Sequence, residues 1–126
     1  MIVKDWSKYK NFEKHEFDCK HTGKNEMQEE FMDNLQALRD MFKTPMKITS
    51  GYRDKSHPAE RDKAGIGPHN QGLACDVAVR GADAYKLVGL AIGMGFTGIG
   101  VSQKGNSRFI HLDMVKSSIR PTIWSY

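Results

Sequence analysis

Apolar residues recur at Met27, Phe31, Leu35, Leu38 and Phe42, spaced by four, four, three and four positions, with polar residues between them. That period lays one apolar stripe along an amphipathic helix. Asn25 reads as its N-cap, with Glu26 in the first turn and Gln28 placed to reach back. The helix is expected to stop before Pro45, because the residue preceding a proline is pushed out of the helical region. Upstream, Trp6, Tyr9, Phe12 and Phe17 sit among charges without a period and predict an irregular arm that tucks its aromatics against the body. Downstream, residues 46–50 read as a short strand that ends in a turn at Gly51-Tyr52-Arg53-Asp54. Pro58, Gly65, Gly67 and Pro68 make residues 55–70 a loop. Small and β-branched residues over 73–79 predict a buried strand. Asp83 is placed to cap a second helix with Ala84, Leu87, Val88 and Ala91 inward, stopped by Gly93 and Gly95. Two strands follow over 97–102 and 109–115, joined by a hairpin at Lys104-Gly105-Asn106. Helix, strand, loop, strand, helix and hairpin make an α+β arrangement: a small antiparallel sheet with flanking helices.

Composition narrows the class without naming a function. The 126 residues suit one domain spanning 1–126. Hydrophobic residues at 39% and charged residues at 27% belong to a globular chain rather than a disordered or fibrous one. The longest apolar stretch, 87–99, is broken by Gly89, Gly93, Gly95 and Gly98 and is too short to span a bilayer. Lys4, Asp5, Lys8 and Lys10 leave no room for a secretory signal, so synthesis in the cytoplasm is expected, with any work outside reached by another route. A net charge of +4 would favour acidic partners such as cell-wall polymer. The basic residues are scattered, without the cluster or motif of a nucleic-acid binder. Cys19 and Cys75 are too few for a disulfide framework.

Chemistry enters through polar residues in apolar strands. Asp76 stands inside Leu73-Ala74-Cys75-Asp76-Val77-Ala78-Val79, where an unpartnered carboxylate would be strongly disfavoured. His111 poses the same problem within Phe109-Ile110-His111-Leu112-Asp113-Met114. Strand alternation puts His111 and Asp113 on one face. A shared polar site between the two strands resolves both problems, and a metal ion removes the cost of burying the carboxylate. His69 lies at the end of the loop that precedes the first of these strands, and a catalytic zinc takes three protein ligands from His and carboxylate. Cys75 falls on the opposite strand face. Cys19 and His21 lack a second pair to complete a structural zinc site, and His15, His21 and His57 read as surface residues.

These residues resemble a known family. His69-Asn70-Gln71-Gly72-Leu73-Ala74-Cys75-Asp76 fits the His-x-x-Gly-x-Ala-x-Asp motif of the zinc D-Ala-D-Ala carboxypeptidases and the L-alanyl-D-glutamate endopeptidases of phage lysins. Ser50-Gly51-Tyr52-Arg53 is similar to that family's Ser-Gly-Tyr-Arg segment, and His111-Leu112-Asp113 to its His-x-Asp strand. Asn11-Phe12 with Glu16-Phe17-Asp18-Cys19 is similar to the opening of many of its chains.

The resemblance implies a hedgehog/DD-peptidase-like fold and one zinc ion per chain, held by His69, Asp76 and His111. It also implies a monomeric metallopeptidase that cuts peptidoglycan stem peptides, a hydrolase of the phage endolysin type that degrades cell wall. No nucleic-acid or membrane partner is expected. Arg53 would face the site and hold a substrate carboxylate or the oxyanion. Two positions depart from the pattern. Gly67 stands where many relatives have Ser. Arg108 stands three residues before the last His, where several branches carry the acidic general base, and an arginine cannot take a proton. Asp113 is then either the catalytic base or the acceptor that orients His111. A non-catalytic, zinc-stabilised wall-binding or virion module on the same fold is the rival reading. Ser50 and Tyr52 shape the Arg53 turn, and Trp124 and Tyr126 close over one end of the sheet or the edge of the cleft.

Overall fold

The computed structural model describes residues 1–126. Its elements in chain order are α1 (Glu29–Phe42), β1 (Lys47–Ser50), β2 (Ala74–Ala78), α2 (Gly81–Gly93), β3 (Gly98–Ser102), β4 (Phe109–Asp113) and β5 (Thr122–Ser125). The N-terminal arm carries two short 3-10 turns, Trp6–Lys8 and Lys14–Phe17, and buries Tyr9, Phe12 and Phe17 as expected. The strands form one sheet in the order β1-β2-β4-β3-β5. Its pairs are antiparallel except β3 with β5, which is parallel. The α+β reading therefore holds, with one strand more than the sequence predicts.

Alternation divides the sheet into two chemically different faces. Ile48, Cys75, Val77, Ile99, Ile110 and Leu112 point to one side and join a core of 23 buried residues with Phe31, Leu35, Leu38 and Phe42 of α1 and Leu87 of α2. The other face carries Asp76 on β2, His111 and Asp113 on β4, Gly98 and Gly100 on β3, and Trp124 on β5. Polar residues that looked misplaced in apolar strands are thus the face away from the core.

Helix starts differ from the sequence reading in both cases. Helix α1 begins at Glu29, not after Asn25, because residues 26–28 are held extended by other partners. Val3 N–H donates to Met27 O, Gln28 N–H to Gly72 O, and Glu29 N–H to Met1 O. Asn25 instead accepts from Met27 N–H across a local turn. Helix α2 starts one turn before the predicted cap: Arg80 is its N-cap, and Asp83 lies in its first turn. Gly72 is required where it stands. Its φ is +71°, and a Cβ there would run into the carbonyl of Glu26. That contact locks the start of α1 onto the loop carrying His69.

A groove of about 800 Å³ lies between α2 and the core-facing side of β3 and β4, near Tyr85, Val88, Val101 and Ile110. It holds no metal-ligating side chain. The chemistry lies on the opposite face.

Candidate metal centre

The antiparallel register of β2 and β4 sets Asp76 directly opposite His111. His111 Nδ1 stands 3.1 Å from Asp76 Oδ1, and His69 Nε2 stands 3.4 Å from the same oxygen. One donor atom from each of His69, Asp76 and His111 lies within 4.8 Å of the others, and all three residues are buried. Residues 42 positions apart along the chain are thereby brought to one point, as the sequence predicts.

The hydrogen bonds aim both rings at that point. His69 Nδ1 is 2.8 Å from the carbonyl of Gly51, which can only accept, so Nδ1 carries a proton and Nε2 is the ring atom turned to Asp76. His111 is held from behind by Asp113, with Nε2 and Oδ2 2.8 Å apart, which turns Nδ1 toward Asp76. Gly51 makes the first contact possible, since a Cβ there would collide with the backbone of Phe17. The Ser-Gly-Tyr-Arg segment therefore serves the site through its glycine carbonyl as well as its arginine.

Electrostatics favour a cation at this place. Burial pushes the Asp76 carboxyl toward neutrality, but hydrogen bonds from His111 and His69 overcome it and hold the group well below the usual carboxylate range. His111 lies between two carboxylates. Burial lowers its pKa, and the bonds to Asp113 and Asp76 more than offset that, so the ring holds its proton more tightly than an exposed histidine. A divalent ion is the natural replacement for that proton. Ligand atoms about 2.0–2.2 Å from a tetrahedral zinc stand roughly 3.3–3.6 Å apart. The 3.1 and 3.4 Å separations at Asp76 lie close to that range, so the donor set fits a zinc-type ion.

Arg53 faces this centre, as expected. Its Nε donates to Ser50 Oγ at 3.1 Å, and its terminal nitrogens reach Asp76 Oδ2 at 3.4 Å and Glu60 Oε2 at 3.5 Å. Asp113 is fully buried on the far side of the His111 ring from Asp76. Burial raises its pKa, but His111 and Arg120 bring it down to about 2. Arg120 grips it with two prongs, Nε to Oδ1 at 3.2 Å and a terminal nitrogen to Oδ2 at 2.9 Å, and Val115 N–H adds a third bond. Arg108 points to the core-facing side and donates to Gly105 O, away from the centre.

A cleft of about 340 Å³ opens over the three donors. Arg53, Lys63 and Arg120 supply its charge, Phe109, Trp124 and Tyr126 its aromatic wall, and Asp76 is the one carboxylate in its lining. Trp124 packs against the His111 ring at a tilt of 49°, with the centroids 5.1 Å apart. Of the two placements open for Trp124 and Tyr126, the cleft edge is the one observed.

Sequence reasoning missed Glu60 and Arg120. Glu60 is 1% exposed, pairs with Arg53 and Lys63, and occupies the space that a side chain at position 67 would need: a Cβ on Gly67 would sit 2.8 Å from its Oε1. A side chain at position 67 would therefore crowd the Glu60 carboxylate. The one signal of Glu60 is that it is one of two acids, with Asp62, in a loop that also carries Lys55, Arg61 and Lys63. Arg120 had none, being an isolated charge between Ile119 and Pro121 in a segment without a period. Of the histidines read as surface residues, His15 and His21 are exposed, while His57 is half-buried and accepts from Ala59 N–H.

No curated protein matches the chain. The sequence profile described as Peptidase M15 matches residues 8–113, from the N-terminal arm to the last residue of β4, and includes His69, Asp76 and His111. A match over most of the 126 residues, enclosing a buried His-Asp-His group that fits a metal ion, shows that the chain belongs to the Peptidase M15 family of metallopeptidases.

Proposed function

We propose that this protein is a zinc-dependent peptidase that hydrolyses stem peptides of bacterial peptidoglycan, with His69, Asp76 and His111 as the ligands of one zinc ion. The observation that carries the reading is the convergence of those three donors within 4.8 Å beneath an open cleft. When bound, zinc supplies Lewis acidity, lowering the pKa of water toward about 7 and polarising a scissile carbonyl. The residues of the chain do the rest. Ser50 and Glu60 hold the Arg53 guanidinium at the cleft, where it can receive a substrate carboxylate or the oxyanion that develops at the carbonyl. Lys63 and Arg120 add positive charge, which suits the free carboxylates of a stem peptide. Trp124, Tyr126 and Phe109 give the peptide an apolar wall and screen one side of the cleft from water. In this reading Asp113 orients His111, and what supports that role over the base is its burial and the occupation of both its oxygens by Arg120, His111 and Val115.

The same reading makes the protein a compact, monomeric lysin of phage or prophage type, or a component of a phage particle, that reaches the wall after release. No helix is long and apolar enough to cross a membrane. Mass spectrometry of muropeptides released from purified walls tests the activity and the bond cut together. His69→Ala and His111→Ala should each lose bound zinc and muropeptide release. Digestion by either variant after metal removal would overturn the proposal.

One observation favours the rival reading of a zinc-stabilised module without turnover: the cleft lining offers no carboxylate besides Asp76 to take a proton from water. Under that reading, chelation lowers the melting temperature while wall fragments stay intact throughout.

A further inference from the structure

We propose that Arg120 is a positioning residue for the metal centre, acting through Asp113 on His111, and that the segment after residue 113 exists in part to deliver it. The proposal rests on the reading of His111 as a ligand. Residues 114–126 lie beyond the matched family region, yet they supply three side chains to the cleft. Thr97 ties this segment down at three points. Its N–H donates to Asp113 O, its hydroxyl to Val115 O, and its carbonyl accepts from Thr122 N–H, which starts β5 beside β3. Within the loop so pinned, Arg120 N–H donates to Ser117 O.

That anchoring puts the Arg120 guanidinium over the Trp124 ring, 5.0 Å from its centroid, with both prongs on the Asp113 carboxylate. Its side chain is 10% exposed, and Asp113 is fully buried. The two-pronged contact fixes the plane of the carboxylate. Oδ2 is thereby aimed at His111 Nε2, and the imidazole plane follows, which leaves Nδ1 facing Asp76. Val115 N–H holds only Oδ1, so without Arg120 the carboxylate can turn about its last torsion and the ring loses its stop. Groups that orient a ligating histidine from behind commonly change metal affinity by 10- to 100-fold. A lysine at position 120 would restore the charge without the fork.

The test uses the full chain and reads zinc affinity by competition with a chromophoric chelator, alongside thermal unfolding of the metal-free proteins. Arg120→Met, which keeps the stem over Trp124, should weaken zinc binding about 10- to 100-fold, with Arg120→Lys in between. Asp113→Asn should show a similar loss. Arg120→Met combined with Asp113→Asn should be no weaker than Asp113→Asn alone, because Arg120 works through that carboxylate. The double variant also buries no unpaired charge, so it answers the question if Arg120→Met alone fails to fold. Zinc affinity of Arg120→Met within about twofold of the parent, or losses that multiply in the double variant, would overturn the positioning role. A parent chain that binds no zinc would instead overturn the metal centre itself, so the two failures are told apart.

Discussion

Gly98 on β3 lies opposite Asp113 on β4, and a Cβ built there falls inside the van der Waals envelope of the carboxylate. Asp113 has nowhere to retreat, because Arg120, His111 and Val115 hold it from three directions. Gly98→Ala therefore forces either the strand or the carboxylate to move. Overpacking a tight site costs about 1–3 kcal/mol. If the carboxylate is driven off Arg120, the loss approaches the 3–5 kcal/mol typical of a broken buried pair. The expected total is about 3 kcal/mol or more. For a chain of this length each kcal/mol moves the midpoint by about 4 °C, so the metal-free variant should melt more than about 10 °C lower. Gly89→Ala is the matched control, since nothing lies within 4 Å of a Cβ there and the residue sits inside α2. The same methyl group should stabilise that helix by about 0.5–1 kcal/mol. Calorimetry of both variants in excess chelator reads the two signs together. A Gly98→Ala midpoint within about 2 °C of the parent would refute the steric argument, because about 0.5 kcal/mol is too little for either kind of displacement.

Further outcomes follow from other parts of the molecule. Chelator should lower the midpoint of the parent chain and added zinc restore it, while His111→Ala should show neither response; dye-monitored melting with and without metal checks this. Glu60→Gln should leave Arg53 short of one anionic partner and raise KM on wall fragments more than it lowers kcat, read from steady-state kinetics. Gly67→Ser should crowd Glu60 and reproduce part of that defect. At high pH, Tyr9 should make folding weaken. Burial and its bond to Asp33 raise its pKa to about 12, above the ordinary value of 10.0. The contribution is complete below pH 10 and is lost as pH rises toward 12, because the unfolded chain gives up its proton first. Solvent around Asp33 limits it to about 1–2 kcal/mol. Denaturant titrations at pH 9 and 11.5 should show a smaller decline in Tyr9→Phe than in the parent.

What could be read from the chain and what could not divide along physical lines. The polar group on the sheet was legible because burying Asp76 and His111 among apolar neighbours is costly, and a cost of that size leaves a mark in a short window of sequence. Helix α1 was legible in its apolar period, but its start was not, since the hydrogen bonds that keep residues 26–28 extended come from Met1, Val3 and Gly72, all remote in sequence. Strand β5 escaped notice for a related reason. Ile123 is 58% exposed at the uncovered end of the sheet and Trp124 faces the cleft, so the strand lacks the buried alternation that announces its neighbours. It is kept in place by parallel pairing to β3 and by Thr97, which are properties of the folded sheet. Arg120 inherits that obscurity. A lone guanidinium in a segment without a period looks like solvated surface until the strand after it folds back, and then it becomes the partner that makes a fully buried Asp113 tolerable. The local rule that detected Asp76, that a buried charge needs a partner, applies equally to Asp113. It demands a cation but gives no direction along the chain in which to look for one.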